Sequence, residues 1–290
     1  MKNAAVKLAA PAAIIAAMGV TAQAADVAEP VIYEKPVYHV PEVVPEKVSG
    51  WYIRGDIGYA WNDFRGADYV TYGHAGGSNH LFGDLKGSFS IGGGIGYQIN
   101  HNFRTDVTLD YTFKTDFDGY TIGTCTPLGG GAPEECMSTD ESAFDAWTVL
   151  ANAYVDLGTY SGVTPYVGAG IGGAYVRWHD LENTIGPGYD QSGTVTHEGS
   201  ASWRFAYALM AGVSIEATKK LAIDLGYRYR HIHQGEMFKY ADHAGPGWDN
   251  GIRSHEVRAG LRYKLGGGDH YEPPYEPPYK PPYHPPKIYK

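Results

Sequence analysis

Between Gly50 and Leu265, apolar side chains recur at every second position, with polar or charged ones between them. A β-strand turns successive side chains to opposite faces, so each such stretch predicts a strand with one apolar and one polar face. Eight stretches qualify: 51–61, 89–100, 103–114, 145–157, 164–176, 202–216, 221–230 and 253–265. In 103–114, Phe103, Val107, Leu109, Tyr111 and Phe113 oppose Arg104, Asp106, Asp110 and Lys114. In 253–265, His255, Val257, Ala259, Leu261, Tyr263 and Leu265 oppose Ser254, Glu256, Arg258, Gly260, Arg262 and Lys264.

A soluble sandwich also produces alternation, by hiding the apolar face and wetting the polar one. Two features favour a membrane barrel, in which the apolar face meets lipid and the charged face meets a polar interior. Trp51, Trp61, Trp203, Tyr229 and Tyr263 stand near the ends of apolar faces, as interfacial girdles do. The connections alternate in length: 64–86, 115–144, 178–201 and 231–252 are long, whereas 100–102, 158–163 and 217–220 are short. Each stretch is close to the ~9–11 residues that a tilted strand needs to cross a bilayer. An even strand count closes the sheet and leaves no edge in lipid. The expected fold is all-β: an eight-stranded, antiparallel, up-and-down transmembrane β-barrel over 50–265, with Pro-rich extensions at both ends. The short turns and both termini would face the periplasm and the four long loops the outside.

The ends fit export. Lys2 and Lys7 precede an apolar core from Leu8 to Val20 and a small-x-small site, Ala22-Gln23-Ala24, so 1–24 reads as a signal peptide. That core is too short for a spanning anchor. Removing the two lysines takes the formal net charge from −9 to −11, which with no basic cluster argues against nucleic acid. Residues 25–49 carry Pro30, Pro36, Pro41 and Pro45 and read as an extended periplasmic linker. Residues 266–290 include four Tyr-x-Pro-Pro units over 271–286, a polyproline tail suited equally to a spacer or to docking on a periplasmic or cell-wall partner.

The polar faces gather nine cations (Arg54, Arg104, Lys114, Arg204, Arg228, Arg230, Arg258, Arg262, Lys264) against seven anions (Asp56, Asp106, Asp110, Asp156, Glu216, Asp224, Glu256). So near a balance predicts a salt-bridged plug, because an eight-stranded interior is only wide enough for side chains to fill it. Cys125 and Cys136, the two cysteines of the chain, read first as a disulfide closing a short loop, with metal or redox use as the lesser reading. The glycines of 92–94 and 168–173 lie inside strands with no helix following, which speaks for sheet curvature rather than a nucleotide loop. Ser254-His255-Glu256 has the residue types of a hydrolytic triad, but consecutive strand residues point to opposite faces and cannot converge. Eight histidines (74, 80, 179, 197, 231, 233, 243, 255) map to the long-loop end. Among them His231, His233 and His255 are weak metal candidates, and Arg253 with His255 forms a rim suited to lipopolysaccharide.

The closing stretch, Arg258-x-Gly260-x-x-Tyr263-x-Leu265, resembles the C-terminal assembly signal of bacterial outer-membrane barrels. With the eight-strand pattern, 50–265 resembles the small OmpA/OmpX-type barrels. Its opening Gly50-Trp51-Tyr52-Ile53-Arg54-Gly55 and closing His255–Tyr263 are similar to the surface-antigen barrels of rhizobia and related alphaproteobacteria. The resemblance implies insertion by the barrel-assembly machinery, and among relatives it brings in haem binding. Family barrels end on an aromatic, often Phe, whereas here Leu265 is followed by a 25-residue tail. The expectation is a non-enzymatic, cofactor-free structural barrel in contact with outer-membrane lipid and lipopolysaccharide. It would support the envelope and present its long loops for surface interaction. A small-solute channel, a haem- or metal-binding receptor and, less favoured, a lipid A-modifying rim enzyme are the alternatives.

Overall fold

The computed structural model describes residues 49–71, 77–241 and 244–265. The signal peptide, the linker up to residue 48, the 266–290 tail, His74 and His243 lie outside the described residues. In chain order the strands are β1 (Gly50–Phe64), β2 (Ala67–Thr71), β3 (Gly77–Leu85), β4 (Ser88–Gln98), β5 (Phe103–Cys125), β6 (Glu134–Asp156) and β7 (Val163–Trp178). They continue as β8 (Leu181–Ile185), β9 (Gly193–His197), β10 (Ala201–Glu216), β11 (Leu221–Ile232), β12 (Gly235–Phe238), β13 (Ala244–Asp249) and β14 (Ile252–Lys264).

Eight of these, β1, β4, β5, β6, β7, β10, β11 and β14, pair antiparallel in that order. The ring closes where β14 pairs β1 from Tyr52↔Lys264 to Phe64↔Ile252. All eight alternating stretches are strands of this ring. Short turns link β4 to β5, β6 to β7 and β10 to β11, and both ends of the ring sequence lie at that same end. Side chains close these turns: Asn100 Oδ1 accepts from the amides of Asn102 and Phe103, each at 2.9 Å. Thr218 Oγ1 accepts from the Leu221 amide at 3.0 Å.

Outward positions of the ring carry exposed apolar side chains such as Ile57, Ile95, Val107, Ile171, Leu209 and Leu261, while Asp56, Arg104, Asp110, Arg228 and Glu256 are buried inside. That polarity suits hydrocarbon outside and a polar filling inside. Gly260 is an inward position where a Cβ would collide with the Asp56 carboxylate, so the closing strand must be bare there.

The expected long loops are instead built into a second storey. The β2–β3, β8–β9 and β12–β13 hairpins join the extended far halves of β5 and β6, which stay paired as far as Cys125↔Glu134. Around this storey β13 pairs β2, β3 pairs β5 and β6 pairs β8. A bridge at Gly199↔Phe238 closes the circuit, with the Lys239 amide donating to the Glu198 carbonyl at 2.8 Å. We call this second ring the crown. Its interior next to the membrane ring is apolar: Leu81, Leu85, Phe117, Leu181, Met237 and Phe238 pack with Phe64, Phe144, Trp178, Ile232 and Ile252 from the ends of the membrane-ring strands.

A β-bulge marks the change on β5. Thr112 pairs Ala146 and Thr115 pairs Phe144, so Phe113 and Lys114 together face Asp145 alone. One extra residue reverses the parity beyond it. Below the bulge the even positions Asp110 and Thr112 point inward; above it the odd positions Thr115 and Phe117 do. Lys114, expected inside the barrel, is therefore exposed. Lys264 and Glu216, also expected inside, lie at the open short-turn end and pair there at 3.4 Å.

Candidate functional site

Three places in this architecture hold chemistry: the barrel interior, its rim at the crown, and the crown itself. The interior follows from alternation, since every second residue of eight strands must find room and partners in a narrow lumen. Near the short turns, Arg262 reaches Asp224 at 3.2 Å and Ser214 at 2.6 Å. Arg104 pairs Asp156 at 3.0 Å and lies 4.4 and 4.6 Å from the ring centroids of Tyr154 and Tyr166, in cation–π contact with both. Arg54 spans Asp56 at 2.7 Å and Asp106 at 3.0 Å. Higher up, Arg228 joins Asp110 at 2.8 Å to Glu256 at 2.7 Å, and Arg258 adds a 2.7 Å contact to Asp110. Ser90 donates to the other Glu256 oxygen at 2.5 Å.

The void left among Arg54, Tyr154, Met210 and Arg258 is about 10 Å³, at the limit for a single water. Arg230, directly above, is fully buried and donates to Thr112 at 3.1 Å. Above it the apolar core begins. Where the two fillings meet, Asp249 accepts from Arg204 at 2.5 Å and from the Trp178 indole at 2.9 Å. Burial there pushes the Asp249 carboxyl above the usual carboxylate range, against the pull of Arg204.

The rim gathers residues from four adjacent strands. Register sets Trp61, His255 and Tyr229 side by side, and one step higher Asp63, Arg253, His231 and Tyr207. His231 lies 5.1 Å from His233 and 5.3 Å from Tyr207, between ring centroids. His255 Nδ1 is held by the Tyr227 hydroxyl at 2.5 Å. Arg253 Nε and His231 Nδ1 are buried atoms without a hydrogen-bond partner among the described residues. Among the described residues no three of His, Cys, Asp or Glu are grouped to hold a metal ion, so the structure does not assemble His231, His233 and His255 into a ligand set. Ser254 turns inward to Asn62 at 2.8 Å and Glu256 inward to Arg228, so neither meets His255 across the wall. Other histidines of this end have local partners: His80 with Asp68 at 2.7 Å, His179 with Asp145 at 2.9 Å, and His197 with the Lys239 carbonyl at 3.0 Å.

The four residues that resemble an assembly signal divide by parity. Arg258 and Gly260 face the ionic interior, while Tyr263 and Leu265 are exposed on the outer surface. Cys125 and Cys136 form a disulfide across the far end of the β5–β6 hairpin, with Cα atoms 5.7 Å apart. In the crown, burial raises the Asp140 carboxyl although Asn183 and Thr121 donate to it. The hydrogen bond from His80 lowers that of Asp68. The Trp178–Asp249–Arg204 junction was not legible beforehand, because it joins three strands distant in sequence and Asp249 lies where a loop was expected.

Against this geometry, residues 12–264 match the outer membrane protein β-barrel domain family. An uncharacterised protein of Brucella abortus (strain 2308) is 38% identical over 284 residues, covering 85% of this chain and 95% of that protein. Outer membrane protein PagN of Salmonella typhimurium is 27% identical over 227 residues, 74% of this chain and 90% of its own length. A putative adhesin of Rickettsia typhi is 28% identical over 223 residues, 74% of this chain and 88% of its own length.

Proposed function

The chain belongs to the outer membrane protein β-barrel domain family, and we propose that within it the protein is a closed structural barrel that supports the envelope and displays the crown as an interaction surface. The observation carrying this reading is that both storeys are filled. Guanidinium–carboxylate pairs occupy the membrane ring, apolar side chains cap it, and the void among the pairs is only about 10 Å³, which favours a structural barrel over a channel. A surface built of paired strands is pre-organised for contact, since little order has to be gained on binding. The name of the Rickettsia relative, a putative adhesin, points the same way.

The crown faces outside and both termini the periplasm, the orientation that outer-membrane barrels with short periplasmic turns adopt. A hydrolytic role for Ser254-His255-Glu256 is not supported, since Ser254 turns inward to Asn62 while His255 is held on the outer face by Tyr227. Its lipid partner is lipopolysaccharide. Arg253 and His231 sit beside the Trp61–Tyr229 belt, where the Arg253 guanidinium is placed to meet a lipid phosphate. Arg258, Gly260, Tyr263 and Leu265 are read by the barrel-assembly machinery, and the 271–286 tail serves as a spacer or docking strip toward the cell wall.

Protease added to intact cells, with planar-bilayer recording of the purified barrel, tests this reading. We expect cleavage confined to crown turns such as 126–133, and no steady conductance. A stable single-channel step would replace the structural reading with a channel. Cleavage at the 158–163 or 217–220 turns from outside would invert the topology.

A further inference from the structure

The outward side of the crown is polar, as a surface in water should be: Asp84, Asp116, Asp118, Thr139 and Glu141 occupy neighbouring outward positions on β3, β5 and β6. Apolar side chains such as Ile122, Met137 and Trp248 interrupt it, and at one place two aromatic rings stand together. Phe82 on β3 and Tyr120 on β5 are cross-strand partners, stacked with centroids 5.3 Å apart and planes 19° from parallel. Both are more than 40% exposed. A cross-strand aromatic pair steadies a sheet by roughly 0.2–1 kcal/mol wherever it stands, so the pair by itself need not mean a ligand.

Its surroundings decide the matter. The rings form one wall of an open cleft of about 530 Å³ that runs between β3 and the chain leaving β1. That size lies within the ~300–1,000 Å³ of ordinary small-ligand pockets. Polar groups of both signs line it: Arg65, His80, Asp84 and Asp118. Among the described residues Arg65 makes a 3.7 Å contact with Asp63, both half-exposed, a kind of pair that contributes little. His80 is fixed edge-on to Phe82, 4.6 Å between centroids, by its Nδ1 contact with Asp68. Gly66, at φ +83°, keeps the remaining edge of that ring clear, since a Cβ there would lie on His80 Nε2.

We propose that this cleft is a saccharide-binding site, in which a pyranose ring lies on the Phe82–Tyr120 wall and its hydroxyls are held by Arg65, His80 and Asp84. A pyranose presents a face of polarised C–H bonds, which matches the negative face of an aromatic ring. Its hydroxyls both donate and accept, which suits a cleft mixing carboxylates with a guanidinium and an imidazole. Asp118 is already paired with Lys86 at 2.9 Å, so Asp84 is the carboxylate that would repel a polyanion, and a purely apolar ligand would desolvate Asp84 and the loosely held Arg65. The proposal deepens the interaction-surface reading by naming the chemistry of a partner. Two sources carry such a ligand: the sugars of the surrounding lipopolysaccharide and the glycans of another cell.

The test is calorimetric titration of the full-length protein in detergent micelles with two probes. One is the core oligosaccharide released from the producing bacterium's lipopolysaccharide; the other is N-acetyllactosamine. We expect saturable binding of at least one, and the probe that binds identifies the source. F82A is expected to weaken binding at least tenfold, and D84N several-fold, while Y120F stays within threefold because it keeps the ring. Heat-modifiable gel migration shows that each variant is folded. Binding of neither probe, or F82A binding as tightly as the parent chain, would overturn the proposal. Binding in micelles does not depend on which side of the membrane the crown faces, so its failure is distinct from failure of the surface reading, which intact-cell proteolysis decides.

Discussion

The membrane ring and the crown are both closed circuits of eight strand segments, yet they are built inside out relative to one another. In the ring, Val107 and Leu209 face outward and Asp110 and Arg228 inward; in the crown, Asp116 and Asp118 face outward and Phe117 and Leu181 inward. The strand supplies two faces, and the surrounding medium decides which must be apolar. A single strand can serve both storeys only if its parity switches between them. On β5 the two-against-one pairing of Phe113 and Lys114 with Asp145 does this.

The largest effects should come from exchanging the two kinds of filling. Arg228→Leu removes the guanidinium that joins Asp110 to Glu256 and leaves Arg258 as their remaining cation in a closely packed lumen. Breaking a buried ion pair from one side costs about 3–5 kcal/mol. Urea unfolding in lipid vesicles, followed by tryptophan fluorescence, should show a loss of that order for the whole barrel. Trp178→Ala removes a comparable amount, about 3–5 kcal/mol, but in the other storey. Its ring packs on Phe117 and Phe144 at 5.6 and 5.3 Å between centroids. Crown turns should become protease-sensitive in this variant while the barrel keeps its folded gel migration. If both variants unfold the molecule as one unit, the storeys are not separable.

A sharper boundary comes from arginine placed on the outer surface of β5. Val107 and Ile122 are exposed to similar degrees, 51% and 46%, on the same strand. At the bilayer midplane Val107→Arg should cost about 2–4 kcal/mol. Above the membrane Ile122→Arg should stay within about 0.5 kcal/mol. Equal costs in the vesicle unfolding assay would mean that the bilayer does not end where the polarity inverts.

That inversion also explains what was readable in advance. The ring strands were legible because lipid on one side and charges on the other give long, uninterrupted alternation, as in 103–112. The crown was not. The first strands of its hairpins, β2, β8 and β12, are five residues or fewer, too short to establish a period. The β5 bulge breaks parity where the crown begins, so Lys114 was placed inside and Phe117 in a loop. At the rim, parity placed Arg253 and His255 on the outer face, but the Tyr227–His255 contact and the unpartnered Arg253 Nε depend on rotamers that no spacing encodes. The Phe82–Tyr120 wall depends on which hairpin lies beside β5, a long-range register.

The smallest effect separates the storeys by pH. Asp140 is buried in the crown, accepts from Asn183 at 2.5 Å and Thr121 at 2.9 Å, and has no ion pair among the described residues. Burial therefore holds its carboxyl above the ordinary value of about 3.9. A group whose folded value is raised contributes stability that is complete below the unfolded value and is lost as pH rises through the folded one. The crown should thus resist protease better at mildly acidic pH than at neutrality. Asp68, lowered by His80, works in the opposite sense, losing its contribution as pH falls. Asp140→Asn isolates the first term. Its amide oxygen can still accept from Asn183, and its NH2 can donate to a reversed Thr121 hydroxyl. The variant should match the parent in acid and exceed it at neutral pH, with proteolysis of the 126–133 turn as the readout. Identical pH profiles for the two proteins would show that the Asp140 carboxylate is not penalised by its surroundings, and that the crown interior is wetter than its packing indicates.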